Sequence, residues 1–465
     1  MTQVVNDIHS MLNPTEVARV EPVDSLEAVQ RALVSARGEG AEVAIAGGFH
    51  AMGGQQFRSG GVLLDTRPMK RVLSLDRERG LVELEGGLQW PELMRWLEGE
   101  QGEDPAEWGI VQKQSGADRL SIGGSISANA HGRGLDMAPM VADVESLVLV
   151  GADGEPRRCS RTENADLFSL AVGGYGLFGV IAHATLRLRP REKVERVVEE
   201  ISLEELIPAF EGRIRDGYLY GDFQFSTDER SERFLMRGVF SCYRPVAADT
   251  PVPVGQRALS EEDWKQLLFL AHTDKAAVYE AYVGHYLPTS GQVYLSDSHQ
   301  MAWYNDGYHA ELDALMGAAH PASEVITEIY VPRDRLTDFM LEVAADFRQH
   351  AVNLIYGTTR LIRRDHESFL AWAREDYACV IFNLHTEHTP DGREHSAEAF
   401  RRLIDMAIAR GGSYYLTYHR HAAREQVRAC YPRFEEFLRR KREHDPDGLF
   451  ASDWHAHHEE LFAHG

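Results

Sequence analysis

The sequence predicts an α+β protein of two domains. Three observations carry that expectation. Its 465 residues exceed what one hydrophobic core usually organises. Residues 1–193 alternate short β-like runs with glycine turns. From residue 194 the segments lengthen, and glycine thins between residues 193 and 285. No repeat of solenoid period and no low-complexity tract interrupts either half.

The elements follow in order. Asp24-Ser25-Leu26-Glu27 reads as a capping box, and Leu26, Val29, Leu33 and Ala36 continue at helical spacing to Gly38 as the C-terminal cap. Val43-Ala44-Ile45-Ala46 reads as a strand that enters a glycine-dense turn. Val62-Leu63-Leu64 and the alternating Leu81-Val82-Glu83-Leu84-Glu85 are further strands. Leu147-Val148-Leu149-Val150 followed by Asp153-Gly154 is a hairpin signal. Ala184 to Leu188 reads as another strand, closed by Arg189-Pro190. In the second half Val380 to Leu384 reads as a strand, and Ala399 to Arg410 as a helix ended by Gly411-Gly412. One long helix is expected from Arg424 to His444, then a turn at Asp445-Pro446-Asp447-Gly448.

Charge and composition exclude several classes. Acidic residues outnumber basic ones by 72 to 49, a formal charge of −23. That field repels phosphate backbones and anionic lipid, so neither nucleic acid nor membrane is an expected partner. No run approaches the ~18 apolar residues of a membrane span. The N-terminal stretch lacks a basic region followed by an apolar one, so no signal peptide is expected. Cys159, Cys242, Cys379 and Cys430 form no CxxC pair and read as buried free thiols in the cytoplasm. Nothing in the sequence speaks to oligomeric state.

The turn Gly47-Gly48-Phe49-His50-Ala51-Met52-Gly53-Gly54 carries the most chemistry. Glycines delivered by a strand let backbone approach a phosphate, and consecutive N–H groups form an anion-binding nest. The Walker lysine is missing, and no GxGxxG opens a helix, so neither a P-loop nor the usual dinucleotide fingerprint fits. A plain strand-to-loop turn is the other reading, with His50 open to packing, metal binding or a bond to a cofactor. A second segment, Gln114 to Gly134, is rich in small residues and hydroxyls and suits close approach to a large flat ligand. A long loop is its alternative. A third, Gly173-Gly174-Tyr175-Gly176-Leu177-Phe178-Gly179-Val180-Ile181, repeats the chemistry.

In this order the segments resemble the FAD-binding domain of the vanillyl-alcohol oxidase, or p-cresol methylhydroxylase (PCMH), superfamily. The likeness is continuous from about residue 20 to 190 and includes the V-E-S-L hairpin and Glu163 to Phe168. It implies a two-domain flavoprotein: a PCMH-type FAD-binding domain (1–193), an α+β cap, or substrate, domain (194–423), and a C-terminal segment (424–465) that returns to the FAD domain. The resemblance assigns FAD contacts to Ala46, Gly47, Gly48, Phe49, His50 and Ala51 in the first turn. In the second segment it assigns Ser115, Gly116, Asp118, Ser121, Ile122, Gly123, Gly124, Ala128, His131 and Gly132, and in the third Gly179, Val180 and Ile181. His50 matches the histidine that carries the flavin 8α-methyl group covalently in many members. No cysteine lies between residues 111 and 134, so no second covalent bond is expected. Phe49 and Ala51 depart from the residues that commonly flank that histidine.

The cap resembles the alditol and sugar-lactone oxidase branch more loosely. Thr327 to Arg333 matches an acidic-aromatic-V-P-R strand. Thr358-Thr359-Arg360 matches an E-x-R strand with threonine at the acidic position. Asn383 stands where a substrate-facing histidine is expected, and His419 near an H-W-G-K motif whose lysine is missing. The implied function is an FAD-dependent oxidoreductase that moves hydride from a small-molecule CH–OH substrate to flavin N5, with dioxygen or another acceptor reoxidising it. Arg360, His419 and Asn383 are the catalytic candidates. Oxidation at a C–N or C–C bond, and an inert flavin-binding protein, are the alternatives. By its chemistry alone Arg360 is either a fixed cation for an oxyanion or an ion-pair partner of Asp365. Asn383 is either catalytic or bonded to neighbouring backbone. His385, Glu387 and His388, with His455, His457 and His458, lack metal-ligand spacing, so no metal is expected.

Overall fold

The computed structural model describes residues 2–102, 107–302 and 307–463. The chain is α+β, built on two sheet systems. In the N-terminal half, Arg19–Pro22, Val62–Asp65 and Val43–Ala46 form a parallel sheet with Val62–Asp65 in the middle. Beside it lies a six-stranded sheet in which Val144–Val150, Val180–Pro190 and Leu81–Glu85 are antiparallel neighbours. Val144–Val150 and Pro156–Ser160 pair as the Asp153-Gly154 turn predicts, with Gly154 at φ +82°.

The helix Leu26–Glu39 buries Val29, Ala32, Leu33 and Ala36 against the parallel sheet. Its caps differ from the sequence expectation. Ser25, in extended conformation, accepts from Ala28 N, so the cap is a single serine and not a box built on Asp24. The C-terminal cap is Gly40 at φ +66°, two residues beyond Gly38, because only the last turn's geometry selects the left-handed position.

The second half is organised by an eight-stranded sheet that includes Lys193–Ser202, Tyr220–Phe225, Arg237–Pro245, Leu354–Ile362, Tyr377–Glu387 and Ala322–Pro332. Period-two alternation divides its faces. Along Tyr377–Glu387, Val380, Phe382 and Leu384 pack toward helices, with Phe382 against Phe339 and Phe347. Cys379, Ile381, Asn383 and His385 point the other way. Across the three adjacent strands, Arg360, Cys379 and Tyr330 make one row; Thr358, Ile381 and Glu328 the next; Tyr356, Asn383 and Ile326 a third.

Two helices differ from the sequence reading. The helix predicted from Ala399 begins at Pro390, where Thr389 accepts from Gly392 N. The helix expected from Arg424 to His444 is two, Arg424–Cys430 and Phe434–His444, because Pro432 breaks it. A further helix, Asp453–Ala463, was not expected. This end of the chain packs on the N-terminal half: Val43 N donates to Leu449 O at 2.7 Å, and Ala451 N to Val43 O at 2.9 Å. Tyr175 lies 4.9 Å from Trp454, centroid to centroid. Buried Asp445 holds Lys441 at 2.5 Å and accepts from Leu449 N and Phe450 N. All four cysteines are free and buried. No helix among the described residues is long and apolar enough to cross a membrane.

Candidate active site

The three glycine segments meet along one cleft that opens to solvent. Gly47, Gly48, Phe49, His50, Ala51, Gly116, Ser121, Gly123, Gly124, Ala128, Gly179, Val180 and Ile181 line it. Of the other residues assigned to FAD from sequence, Ala46 and Ile122 are core. Asp118 pairs with Lys113, Ser115 is not among the lining residues, and His131 and Gly132 belong to the network described below. The segments hold the non-glycine residues Phe49, Asn129 and Tyr175 at φ +61°, +49° and +53°. Such strain collects at ligand sites, where surrounding structure enforces it.

Close packing explains the small residues. A Cβ on Gly47 would stand 1.9 Å from Ser121 Oγ, and one on Gly48 2.4 Å from Arg119 O. Gly124 is different: it is exposed to the cleft, and a Cβ there meets only Ser121 Oγ, at 2.8 Å. The lining joins glycine and alanine backbone and hydroxyls with apolar and aromatic side chains such as Ile45, Leu120, Ile326 and Tyr415. Close backbone beside apolar and aromatic walls fits a dinucleotide with a flat ring system, so the residues present suit FAD.

His50 sits at the cleft with a partner that sequence reasoning missed. His50 Nδ1 lies 2.8 Å from His9 Nε2, on the N-terminal segment that folds over the turn. Burial, then the charge of His9, holds the His50 imidazole well below its ordinary range, so it is neutral. His9 is alone in a weakly patterned stretch, and no sequence signal marks it.

Where the cleft meets the cap sheet, a buried carboxylate gathers four donors. Glu328 accepts from His131 Nε2 at 2.5 Å, Tyr330 OH at 2.8 Å, Cys379 Sγ at 2.9 Å and Tyr418 OH at 3.1 Å. Burial works to raise this carboxyl, but His131 and the donated hydrogen bonds outweigh it and bring it down to about 2. Burial and the Glu328 charge push the Tyr418 phenol well above its ordinary range, so its proton stays on the oxygen. The same two causes raise the Cys379 thiol. Tyr418 lines the cleft, as do Ile326, Tyr415 and Thr417. Tyr415 ties the second segment in place by donating to Ala128 O at 2.7 Å.

Arg360 reaches the same place. It is buried in the sheet row beside Cys379, and its Nη1 approaches Gly132 O at 3.5 Å. Its Nε has no hydrogen-bond partner among the described residues. Asp365 is not its partner: that carboxylate accepts from Asn129 Nδ2 at 2.8 Å and from Ser368 N at 3.0 Å. Lys113, another residue the sequence reading missed, lies fully buried nearby, with Nζ 2.7 Å from Asp118. Asn383 is on the same sheet face, one row from Glu328, and its buried Oδ1 has no hydrogen-bond partner among the described residues. His419 is not brought here. It stacks on His421 at 5.4 Å beside Phe400, and burial takes it down to about 3. The neighbouring Tyr418 faces the cleft instead.

The family model of an FAD binding domain matches residues 18–160. Over nearly the whole length, the chain is similar to a decaprenylphosphoryl-beta-D-ribose oxidase of Mycolicibacterium smegmatis, 24% identical over 459 residues, covering 94% of each chain. It is similar to cytokinin dehydrogenase 4 of Oryza sativa subsp. japonica, 23% identical, covering 95% of this chain and 84% of that one. L-gulonolactone oxidase of Mus musculus is 27% identical over 41% of this chain and 42% of its own. With the FAD-domain match, the glycine-lined cleft and these relatives together, the chain belongs to the vanillyl-alcohol oxidase/PCMH superfamily of FAD-dependent oxidoreductases.

Proposed function

We propose that this protein oxidises a small-molecule CH–OH donor, with FAD attached through His50 and dioxygen or another acceptor taking the electrons. One observation carries the reading: Tyr418 lines the glycine-lined cleft with its hydroxyl on buried Glu328, and buried Arg360 lies in the neighbouring row of the same sheet face. Bound FAD supplies the two-electron oxidising chemistry, accepting hydride from substrate carbon. The protein's own residues orient the substrate and manage its proton. Tyr418 commits its hydrogen to Glu328, which leaves its oxygen lone pairs for the substrate hydroxyl. Arg360 stands ready for charge that develops on the substrate oxygen. Burial of this network excludes water and strengthens both interactions.

The reading is tested by anaerobic mixing with alditols, lactones, hydroxy acids and amines, following loss of the flavin's visible absorbance. Bleaching by hydroxyl-bearing donors supports it. Threonine at 358 and asparagine at 383, where the alditol branch has acidic and histidine side chains, favour C–N or C–C oxidation as the second reading. Bleaching by amines alone would establish that one, and no bleaching by any donor the inert binder.

Tyr418→Phe removes one hydrogen bond to a charged group, worth roughly 1.5–3 kcal/mol. Anaerobic flavin reduction is expected to slow about 10- to 100-fold, with flavin content unchanged. An unaltered rate would remove Tyr418 from the proton path.

A neutral His50 is the form able to bond carbon, and the cleft holds it neutral. Acid-precipitated wild type is therefore expected to retain yellow flavin in the pellet. The His50→Ala protein should fold, bind FAD reversibly and release it all to the supernatant. Colour wholly in the wild-type supernatant would show that the bond is not made.

A further inference from the structure

A second cluster of ionisable groups lies on the same face of the cap sheet, beyond the Asn383 row. Glu324 and His385 are opposite one another on the paired strands Ala322–Pro332 and Tyr377–Glu387. At about 3.3 Å per residue, Glu324 is about 13 Å along its strand from Glu328, so the two networks are separate. Helix Glu261–Thr273 brings in His272, and helix Tyr308–Met316 brings in His309. His272 Nε2 is 2.7 Å from Glu324 Oε1, His309 Nδ1 is 2.8 Å from Oε2, and His385 Nδ1 is 3.9 Å from Oε1. The His272 and Glu324 side chains are only 2% and 3% exposed.

Three features set this apart from an ordinary ion pair. His272 Nδ1 lies 2.9 Å from Leu268 O, which can only accept, so Nδ1 carries a hydrogen. Nε2 is then the ring atom turned to the carboxylate, and a backbone partner on the other nitrogen is what metal-bound histidines have. Secondly, His385 Nδ1 is buried, has no hydrogen-bond partner among the described residues and stands close to the same carboxylate oxygen. Thirdly, imidazole nitrogens with one carboxylate oxygen are the donors zinc takes. Bonds of about 2.0–2.1 Å to a tetrahedral zinc ion put ligand atoms about 3.3–3.4 Å apart. The His272–Glu324 pair at 2.7 Å needs to open, and the His385 distance of 3.9 Å to close, by about half an ångström, within reach of side-chain torsions. Tyr308 OH donates to Glu324 Oε2, so Oε1, the oxygen that His272 and His385 face, is the one left for an ion.

The geometry points to a three-ligand zinc site made by His272, Glu324 Oε1 and His385 that fastens helix Glu261–Thr273 to the sheet, while His309 pairs with the other carboxylate oxygen, Oε2. Glu387 and His388, the sequence neighbours of His385, take no part: Glu387 is exposed, and His388 Nε2 is 2.9 Å from Ser323 Oγ. The ligands come from three separate segments, which is why no spacing motif revealed them.

The test uses the purified full-length flavoprotein, stripped with EDTA and dialysed. It is titrated with Zn2+ by calorimetry and with Co2+ by visible absorption. One tight Zn2+ per chain and intense Co2+ bands of a low-coordinate site are expected. In His385→Ala, and separately in Glu324→Gln, zinc affinity should fall by more than the roughly 10- to 100-fold that outer partners of a metal site contribute. His457→Ala, on the last helix, should bind as wild type does. Absence of tight zinc from the wild type overturns the proposal and leaves a protonated histidine–carboxylate cluster. Affinity unchanged in both ligand variants overturns it equally, by placing the ion elsewhere. If neither variant folds, the wild-type Co2+ spectrum decides, and weak bands of an octahedral ion overturn the site.

Discussion

Gly124→Val is expected to abolish flavin binding while the protein still folds. The glycine lies in the short helix Ile122–Ser127, with Gly123 and Ser125 buried on either side and itself open to the cleft. A Cβ there touches only Ser121 Oγ, the end of a side chain that can rotate away. The protein therefore has room for the branch, and the methyl groups enter the space that FAD needs. Gly123→Val is the contrasting variant. Its Cβ falls 2.8 Å from Gly86 O, and backbone cannot rotate away, so loss of soluble protein is expected there. The measurement is the flavin-to-protein absorbance ratio after desalting and incubation with FAD, alongside a thermal melt. Full occupancy in Gly124→Val would mean that FAD does not lie against this helix. Gly124→Ala should retain part of the flavin, since one methyl group intrudes less.

Arg360→Ala is expected to slow anaerobic flavin reduction about 100- to 1,000-fold and leave flavin content near normal. A preorganised donor facing developing charge in a dry site is worth ~3–4 kcal/mol of transition-state stabilisation. Arg360→Lys should recover only part of the rate, because an ammonium lacks the planar fork. Stability separates this role from a structural one. Removing one member of a buried ion pair usually costs about 3–5 kcal/mol, because a charge is left uncompensated. Arg360 has no carboxylate partner among the described residues, and Asp365 is occupied by Asn129 and Ser368. The alanine variant should therefore melt at or above the wild-type temperature. A large drop in melting temperature with an unchanged reduction rate would assign Arg360 to the fold, and the oxyanion role would pass to Lys113 or Tyr418.

The flavin half was the more legible in sequence because its signals are local. A strand that ends in consecutive glycines, a run of small residues before His131, and glycines ahead of Val180 each report the backbone's need to come close to something. Their order along the chain places three segments that the fold joins in one cleft. Hairpin chemistry at Asp153-Gly154 and strand alternation at Leu81–Glu85 are equally local and match the observed pairings. Errors fell at element ends. Gly40 rather than Gly38 closes the first helix, and Pro432 divides the terminal one, since several residues in each place satisfy the same pattern.

The cap chemistry depends on which side chains share a sheet face and what crosses to meet them. Tyr418 and His419 are adjacent and both plausible proton carriers on composition. The turn of the chain after Ser413–Tyr414 aims Tyr418 at Glu328 and His419 at Phe400. Glu328 becomes a fixed anion because His131, Cys379 and Tyr418 arrive from separate segments to join Tyr330 of its own strand, and burial alone would have raised it. His9 reaches His50, and His272 reaches Glu324, across 41 and 52 residues of sequence. The short-range features of this protein, its turns, strand periods and glycine-rich FAD segments, follow from residue type and spacing, because backbone sterics act over a few residues. Its electrostatic pairings come from packing in three dimensions, because charge and hydrogen bonding act through space and are indifferent to distance along the chain.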